Sequence, residues 1–363
     1  MKRPSWPSWM PVDPFIAALL ATVGLAALLP ARDTAADVAS GASTTAVALL
    51  FFLYGARLST REALDGLRHW RLHLTVLLCT FLVFPLLGLA AKGLVPHVLT
   101  PALYSGFLFL TLVPSTIQSS IAFTSLARGN VPAAICAGTF SSLAGVVLTP
   151  LLVAWLLADT GGGFSADAFL KIVLQLLVPF LAGQLLRRCG EWRARAKRVR
   201  QGGGGRRGGG FVARHKKVLS LVDRCSILLV VYTAFSQGMV RGIWSQVTPA
   251  RLAALLGVEA VLLALMLSLT WYGAKRLGFG RADRVAIQFA GSKKSLAAGL
   301  PMASVLFGPQ ASLAVLPLML FHQMQLMVCA VIAKRRSHDP EEFTPVGTGA
   351  ASRTAAGTAP RSG

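Results

Sequence analysis

Apolar runs of about twenty residues recur along nearly the whole chain, separated by short polar gaps. A helix needs about 20 apolar residues to cross the hydrocarbon core of a bilayer. Ten runs qualify, at 12–30, 38–57, 72–95, 102–127, 131–157, 167–186, 218–240, 250–272, 284–307 and 311–333. The pattern predicts an all-α integral membrane protein with ten transmembrane helices. The first run follows Lys2 and Arg3. Its length and the nine spans behind it predict a retained signal-anchor helix rather than a cleaved signal peptide.

The gaps alternate in charge. The 2–3 gap carries Arg57, Arg61, Arg68 and Arg71, and the 8–9 gap carries Lys275, Arg276, Arg281 and Arg284. Arg128 lies in the 4–5 gap, and Lys334, Arg335 and Arg336 follow the last span. The 6–7 gap, 187–217, is the longest and is rich in arginine around a Gly-rich stretch at 201–210. The opposite gaps are poor in positive charge. Positive gaps stay on the cytoplasmic side, so both termini are expected in the cytoplasm and the protein in the cell membrane. The 187–217 loop reads as a solvated linker that enforces topology, with binding of anionic lipid headgroups as the alternative. The tail, 337–363, is rich in Ala, Thr, Gly and Pro and reads as disordered.

Two spans carry a matching polar interruption. Gln118-Ser-Ser-Ile-Ala122 in span 4 resembles Lys293-Lys-Ser-Leu-Ala297 in span 9, five spans later. An odd offset makes two copies of a five-span unit enter the membrane in opposite directions, which is an inverted-topology repeat. The repeats are expected at 1–157 and 158–336. Span 4 is broken around Pro114-Ser-Thr116, and span 9 around Gly291-Ser292, with Gly299 and Pro301 following. Proline removes a backbone donor, and glycine weakens a helix by about 1 kcal/mol. Freed backbone groups at membrane depth must be met inside the protein or in a watery cavity. Interrupted helices at equivalent places in two halves point to a binding site.

Composition agrees with this reading. Apolar residues make up 54% of the 363 residues and charged residues 14%, against about 25% charged in soluble domains. Mean hydropathy is +0.61. The formal net charge of +22 sits in the gaps, so it reads as a topology signal and not as a nucleic-acid surface. Cys79, Cys136, Cys189, Cys225 and Cys329 are scattered without metal-ligand spacing and read as small buried hydrophobes.

Several polar residues lie where a membrane makes them costly. Lys293 and Lys294 sit about ten residues into span 9. A lysine at mid-bilayer costs roughly 2.5–3.5 kcal/mol on insertion scales. Neighbouring helical residues point about 100° apart, so one partner cannot easily serve both. Glu259 in span 8 is the carboxylate read as deep in a span, either paired with one of these lysines or accepting a proton. His322 and Gln323 lie in span 10. With Ser115, Thr116, Gln118, Ser119, Ser120, Ser292 and Ser295 they form the candidate solute or ion site. Thr139, Ser141, Ser142 and Gly145 in span 5 suit close helix packing. Deep aspartate pairs, HExxH and GxxxxGK[ST] are absent from the sequence, which argues against a membrane protease and an ATP-driven pump.

At Leu126-Ala-Arg-Gly-Asn-Val131, at the polar break before it and at Gly291-Ser-Lys-Lys-Ser-Leu296, the sequence resembles the bile acid:sodium symporter family, especially its orphan branch of sodium/bile-acid-cotransporter-7-like proteins. The resemblance runs from about 12 to 334. It implies crossed, unwound helices 4 and 9 in a core, beside a panel of helices 1, 2, 6 and 7. It also implies transport of organic anions with sodium by alternating access. The family's sodium ligands are altered here. The carboxylate of span 9 falls on an apolar residue of Phe289-Ala-Gly-Ser-Lys293, and the glutamine falls on Lys293. The Ser-Asn pair of span 4 falls on Ser119 and Ser120, the hydroxyls of span 5 on Ala134 and Gly138, and a span-3 glutamine near Thr80. Sodium is therefore possible with key ligand positions substituted. The expectation is that a lysine ammonium takes the cation's role and that transport is sodium-independent or proton-linked. No cofactor is expected. The rival reading is a non-transporting regulator of ion homeostasis on the same scaffold.

Overall fold

The structure is a computed structural model, and it describes residues 14–57, 69–157, 174–190, 216–242, 248–308 and 311–337. Residues 191–215 of the 187–217 loop and 338–363 of the tail lie outside the described residues. The helices are α1 (Pro14–Leu28), α2 (Asp33–Arg57), α3 (Trp70–Leu94), α4 (Pro101–Leu112), α5 (Gln118–Leu126) and α6 (Val131–Leu156). They continue with α7 (174–190), α8 (Lys216–Val240), α9 (Pro249–Arg276), α10 (Arg281–Gly291), α11 (Leu296–Phe307) and α12 (Ala311–Ser337). No strand is found among the described residues. Five of these helices, α2, α3, α6, α9 and α12, are long and apolar enough to cross a membrane.

Helix starts follow local chemistry. Thr100, Asn130 and Thr248 cap α4, α6 and α9 by accepting from the backbone N–H three residues on, and each is followed within two residues by proline. Such caps satisfy donors that a helix start leaves free. Spans 4 and 9 of the sequence are each two helices, α4 with α5 and α10 with α11, joined at residues 113–117 and 292–295.

Two groups of helices pack side by side. In the first, α8 lies against α1 and α2, and α2 crosses α7 closely. A Cβ on Gly55 would lie 2.0 Å from the Phe180 carbonyl oxygen, and one on Gly183 would lie 2.0 Å from that of Phe52. Only glycine permits that approach. The second group holds the broken helices, with α3, α6, α9 and α12 around them. Contacts of α8 with α11 and α12 join the groups, and the Tyr54 hydroxyl donates to the Ala297 carbonyl at 3.0 Å.

The cysteines depart from expectation. Cys79 and Cys329 are buried, but Cys189 and Cys225 are exposed. An apolar neighbourhood in a membrane helix includes its outer face, so it does not imply burial in protein.

Candidate functional site

The site is built from carbonyls that α4 cannot use. A helix end leaves its last carbonyls without intrahelical partners, and Pro114 stops α4 from continuing. Each nearby carbonyl is met from elsewhere. Lys294 Nζ donates to Thr111 O at 2.7 Å and to Val113 O at 2.9 Å. The Thr149 hydroxyl donates to Leu112 O at 2.8 Å. The backbone N–H of Ser295 donates to Pro114 O at 2.8 Å.

Lys294 takes a third carbonyl from α3. Over Cys79–Val83 that helix widens into a π turn, and Phe84 N–H donates to Cys79 O. The next donor in that register would be Pro85, which has none. Thr80 O is left free, and Lys294 Nζ reaches it at 2.9 Å. The Phe84 ring lies 4.1 Å from the same nitrogen. Lys294 is fully buried, and its ammonium holds a tripod of carbonyls.

The second break is held just as tightly. Gln325 of α12 accepts from Lys294 N–H at 2.9 Å and donates to Lys294 O at 2.8 Å. His322 Nδ1 lies 2.8 Å from Gln325 Nε2. Ser295 caps α11 by accepting from Ala298 N–H. The two breaks also bind each other. The Ser115 hydroxyl donates to the Ala290 carbonyl, and the Ser120 hydroxyl, shared with Thr116 O, reaches Phe289 O at 2.9 Å. The Ser141 hydroxyl of α6 accepts from Ser115 N–H at 2.9 Å. Gly145 of α6 packs on the Pro114 ring, where a Cβ would come within 2.7 Å.

Lys293 is placed differently. It is also fully buried. Its Nζ donates to the Ser119 hydroxyl at 3.3 Å and lies 4.4 Å and 5.6 Å from the Phe123 and Phe289 ring centres. Gln118 is exposed, one residue before the serine that meets Lys293. Glu259 is fully buried, and neither of its oxygens has a hydrogen-bond partner among the described residues. It is a partner of neither lysine. Glu259 is not alone as a carboxylate within a helix: Asp37 lies in α2, Asp283 in the first turn of α10, and Asp223 about two turns into α8.

The positions on which the resemblance places sodium ligands do not fit that ion. Ala134 and Phe289 supply no side-chain oxygen, and Lys294 already covers the carbonyls of Thr80, Thr111 and Val113. A second cation beside that ammonium would be repelled. The described residues also hold no cluster of three His, Cys, Asp or Glu suited to a metal ion.

Two cavities lie between the helix groups. One, of about 190 Å³, is lined by Leu19, Val23, Phe235, Leu296, His322 and Gln323, among others. The other, of about 270 Å³, is lined by Ser40, Thr44, Gln175, Thr233, Gln237 and Ser304, among others. His322 and Gln323, both candidates from the sequence, line the first cavity, whereas Gln325 and the hydroxyl-rich cavity were not among the expectations. Gln325 was visible as a third polar residue in the same apolar span.

The Leu126–Val131 motif closes the far end of the site. Arg128 has φ +55°. A Cβ on Gly129 would lie 2.5 Å from Val285. Asn130 caps α6, donates to the Asp283 carboxylate at 2.7 Å, and its N–H donates to Ala282 O at 2.9 Å. The turn after α5 is thereby docked onto the start of α10.

Residues 13–338 match the model of the SBF-like CPA transporter family. The chain belongs to that family. SBF-like relatives cover nearly its full length. An uncharacterized protein of Pseudomonas aeruginosa is 53% identical over 334 residues, covering 91% of this chain and 94% of the relative. The Escherichia coli protein YfeH, provisionally named a symporter, is 45% identical over 92% of this chain and 95% of its own. Sodium/bile acid cotransporter 7 of Mus musculus is 28% identical over 80% of this chain and 81% of its own. Family and apolar helices together make this SBF-like chain a multi-pass membrane transporter.

Proposed function

We propose that this protein is a secondary transporter that moves an organic anion or a similar small solute by alternating access, without sodium. The observation that carries the reading is the Lys294 tripod. An ammonium tethered to the break before α11 sits where carbonyls from α3 and α4 converge. It supplies a fixed positive charge at the crossing point of the broken helices, so no ion from solution is needed to hold the crossing together.

The architecture proposed with it is ten spans in two inverted repeats, 1–157 and 158–336, with both termini cytoplasmic in the cell membrane. The broken helices with α3, α6, α9 and α12 form one body, and α1, α2, α7 and α8 form the other. One contact favours the repeat. Gln118 and Lys293 are 175 positions apart, and so are Ser115 and Ala290, which touch. Equivalent positions meet where a pseudo-twofold axis passes between two copies. Solute would pass between the bodies, where both cavities lie and where His322 and Gln323 line one of them. The names of the relatives support an organic solute, and the tripod argues against the sodium in some of those names.

Uptake by proteoliposomes tests the reading. A panel of organic anions is offered with a sodium gradient, and again with sodium replaced by choline on both sides. Equal uptake of one anion in both conditions is expected. Uptake that collapses when sodium alone is removed would falsify the sodium-free cycle.

A further inference from the structure

Lys293 and Lys294 are adjacent, fully buried and unequally satisfied. An ammonium has three N–H donors. Lys294 places all three on carbonyls within 2.9 Å. Lys293 has a single hydrogen bond, to Ser119 at 3.3 Å, and the faces of Phe123 and Phe289. Aromatic faces return part of the cost of burying a cation. They do not replace two missing acceptors, and an unfilled buried charge is costly. Releasing the proton removes that cost, and lysine is the cation that can do so.

The groups around Lys293 favour this. On the next residue, Lys294 directs three N–H donors at three carbonyls, the arrangement that suits an ammonium. On α12, Cys329 interacts electrostatically with Lys293, and His322 is engaged with Gln325 and the Lys294 carbonyl. On α3, Cys79 interacts with Lys294. α5 carries no titratable residue. On α10, Asp283 is held by Asn130, and Arg284 stacks over Trp271. Glu259 of α9 makes no hydrogen bond to either lysine. Among the described residues nothing anionic holds the proton on Lys293.

The hydrogen-bond partner of Lys293 lies nearer the surface than the lysine itself. Ser119 is half-buried, and Gln118, Ala122 and Ser125 form an exposed face of α5 at helical spacing. Gln118 and Ser125 suit a watery crevice rather than lipid, and Leu126 is exposed beside them.

We infer that Lys293 is the proton-carrying site of this transporter. In one state its Nζ keeps the lone pair and passes a proton to crevice water. In the other it takes a proton back, while Lys294 stays charged throughout. The inference rests on the transporter reading above and names its coupling ion.

The test needs no solute. Proteoliposomes on a solid-supported membrane receive a rapid pH jump, and the transient charge displacement is recorded. Wild type and Glu259→Gln should give a transient. Lys293→Gln and Lys293→Arg should fall to the level of protein-free liposomes, with folding of both verified by thermal melting. Arginine keeps the charge but does not release its proton at these pH values, so it separates proton exchange from charge. A transient that survives in Lys293→Arg, or one lost in Glu259→Gln, overturns the assignment. The same preparations are used for the anion uptake panel. A Lys293-dependent transient without any uptake would sink the transporter reading and leave the proton site standing. Uptake without a transient in wild type would do the reverse.

Discussion

Gln325 grips Lys294 by both sides of its peptide: its Oε1 accepts from Lys294 N–H at 2.9 Å, and its Nε2 donates to Lys294 O at 2.8 Å. One side chain of α12 thus replaces the helical bonds that the break removes. Gln325→Leu keeps the size and strands both groups. Each unsatisfied buried group costs about 1–3 kcal/mol, so a loss of roughly 2–5 kcal/mol is expected. Thermal unfolding of the detergent-purified protein reads this out, and an unchanged midpoint would contradict the latch.

The two lysines should respond in opposite ways to the same change. Lys294→Met leaves the carbonyls of Thr80, Thr111 and Val113 without a donor, and a stability loss of about 3 kcal/mol or more is expected. Lys293→Met replaces a poorly satisfied buried cation with an apolar chain between two rings, and such exchanges are often neutral or stabilising. Melting temperatures of the two variants, measured side by side, check the order. Equal losses would mean that the tripod carries no special weight.

The crossing of α2 and α7 depends on two glycines. Gly55→Ala and Gly183→Ala each drive a methyl group into a carbonyl at 2.0 Å. The helices must separate, at a cost of about 1–3 kcal/mol or more. Gly257→Ala, within α9, meets nothing within 4 Å and should stabilise by up to about 1 kcal/mol through helix propensity. Expression yield and melting temperature distinguish the three.

Asn130 and Asp283 join the turn after α5 to the start of α10. Asn130→Ala also removes the cap of α6, worth about 0.5–2 kcal/mol. A double-mutant cycle with Asp283→Ala should give a coupling of about 0.5 kcal/mol or more. Zero coupling would make the contact incidental.

Much of this was legible along the chain. The apolar runs located the helices, because each span must be apolar over a fixed length. Both breaks were visible, because Pro114 and the Gly291-Ser292 step remove or weaken helical bonds wherever they fall. Other features were not legible. Glu259 reads as a natural partner for a buried lysine, yet it meets neither. The hydroxyl-rich cavity draws Ser40, Gln175, Thr233 and Ser304 from four helices, and no local pattern marks it.

The sequence by itself determined that two adjacent lysines lie in one broken apolar run and that a second run is broken at a matching place. The tertiary structure alone decided that Lys294 meets three carbonyls while Lys293 meets one hydroxyl and two aromatic rings. Local chemistry makes the residues equivalent. Their difference comes from the Pro85 and Pro114 neighbourhoods, which free carbonyls 181 to 214 positions away from Lys294. Side chains one residue apart point in different directions, and only packing across that distance puts those carbonyls in front of one and two aromatic rings in front of the other.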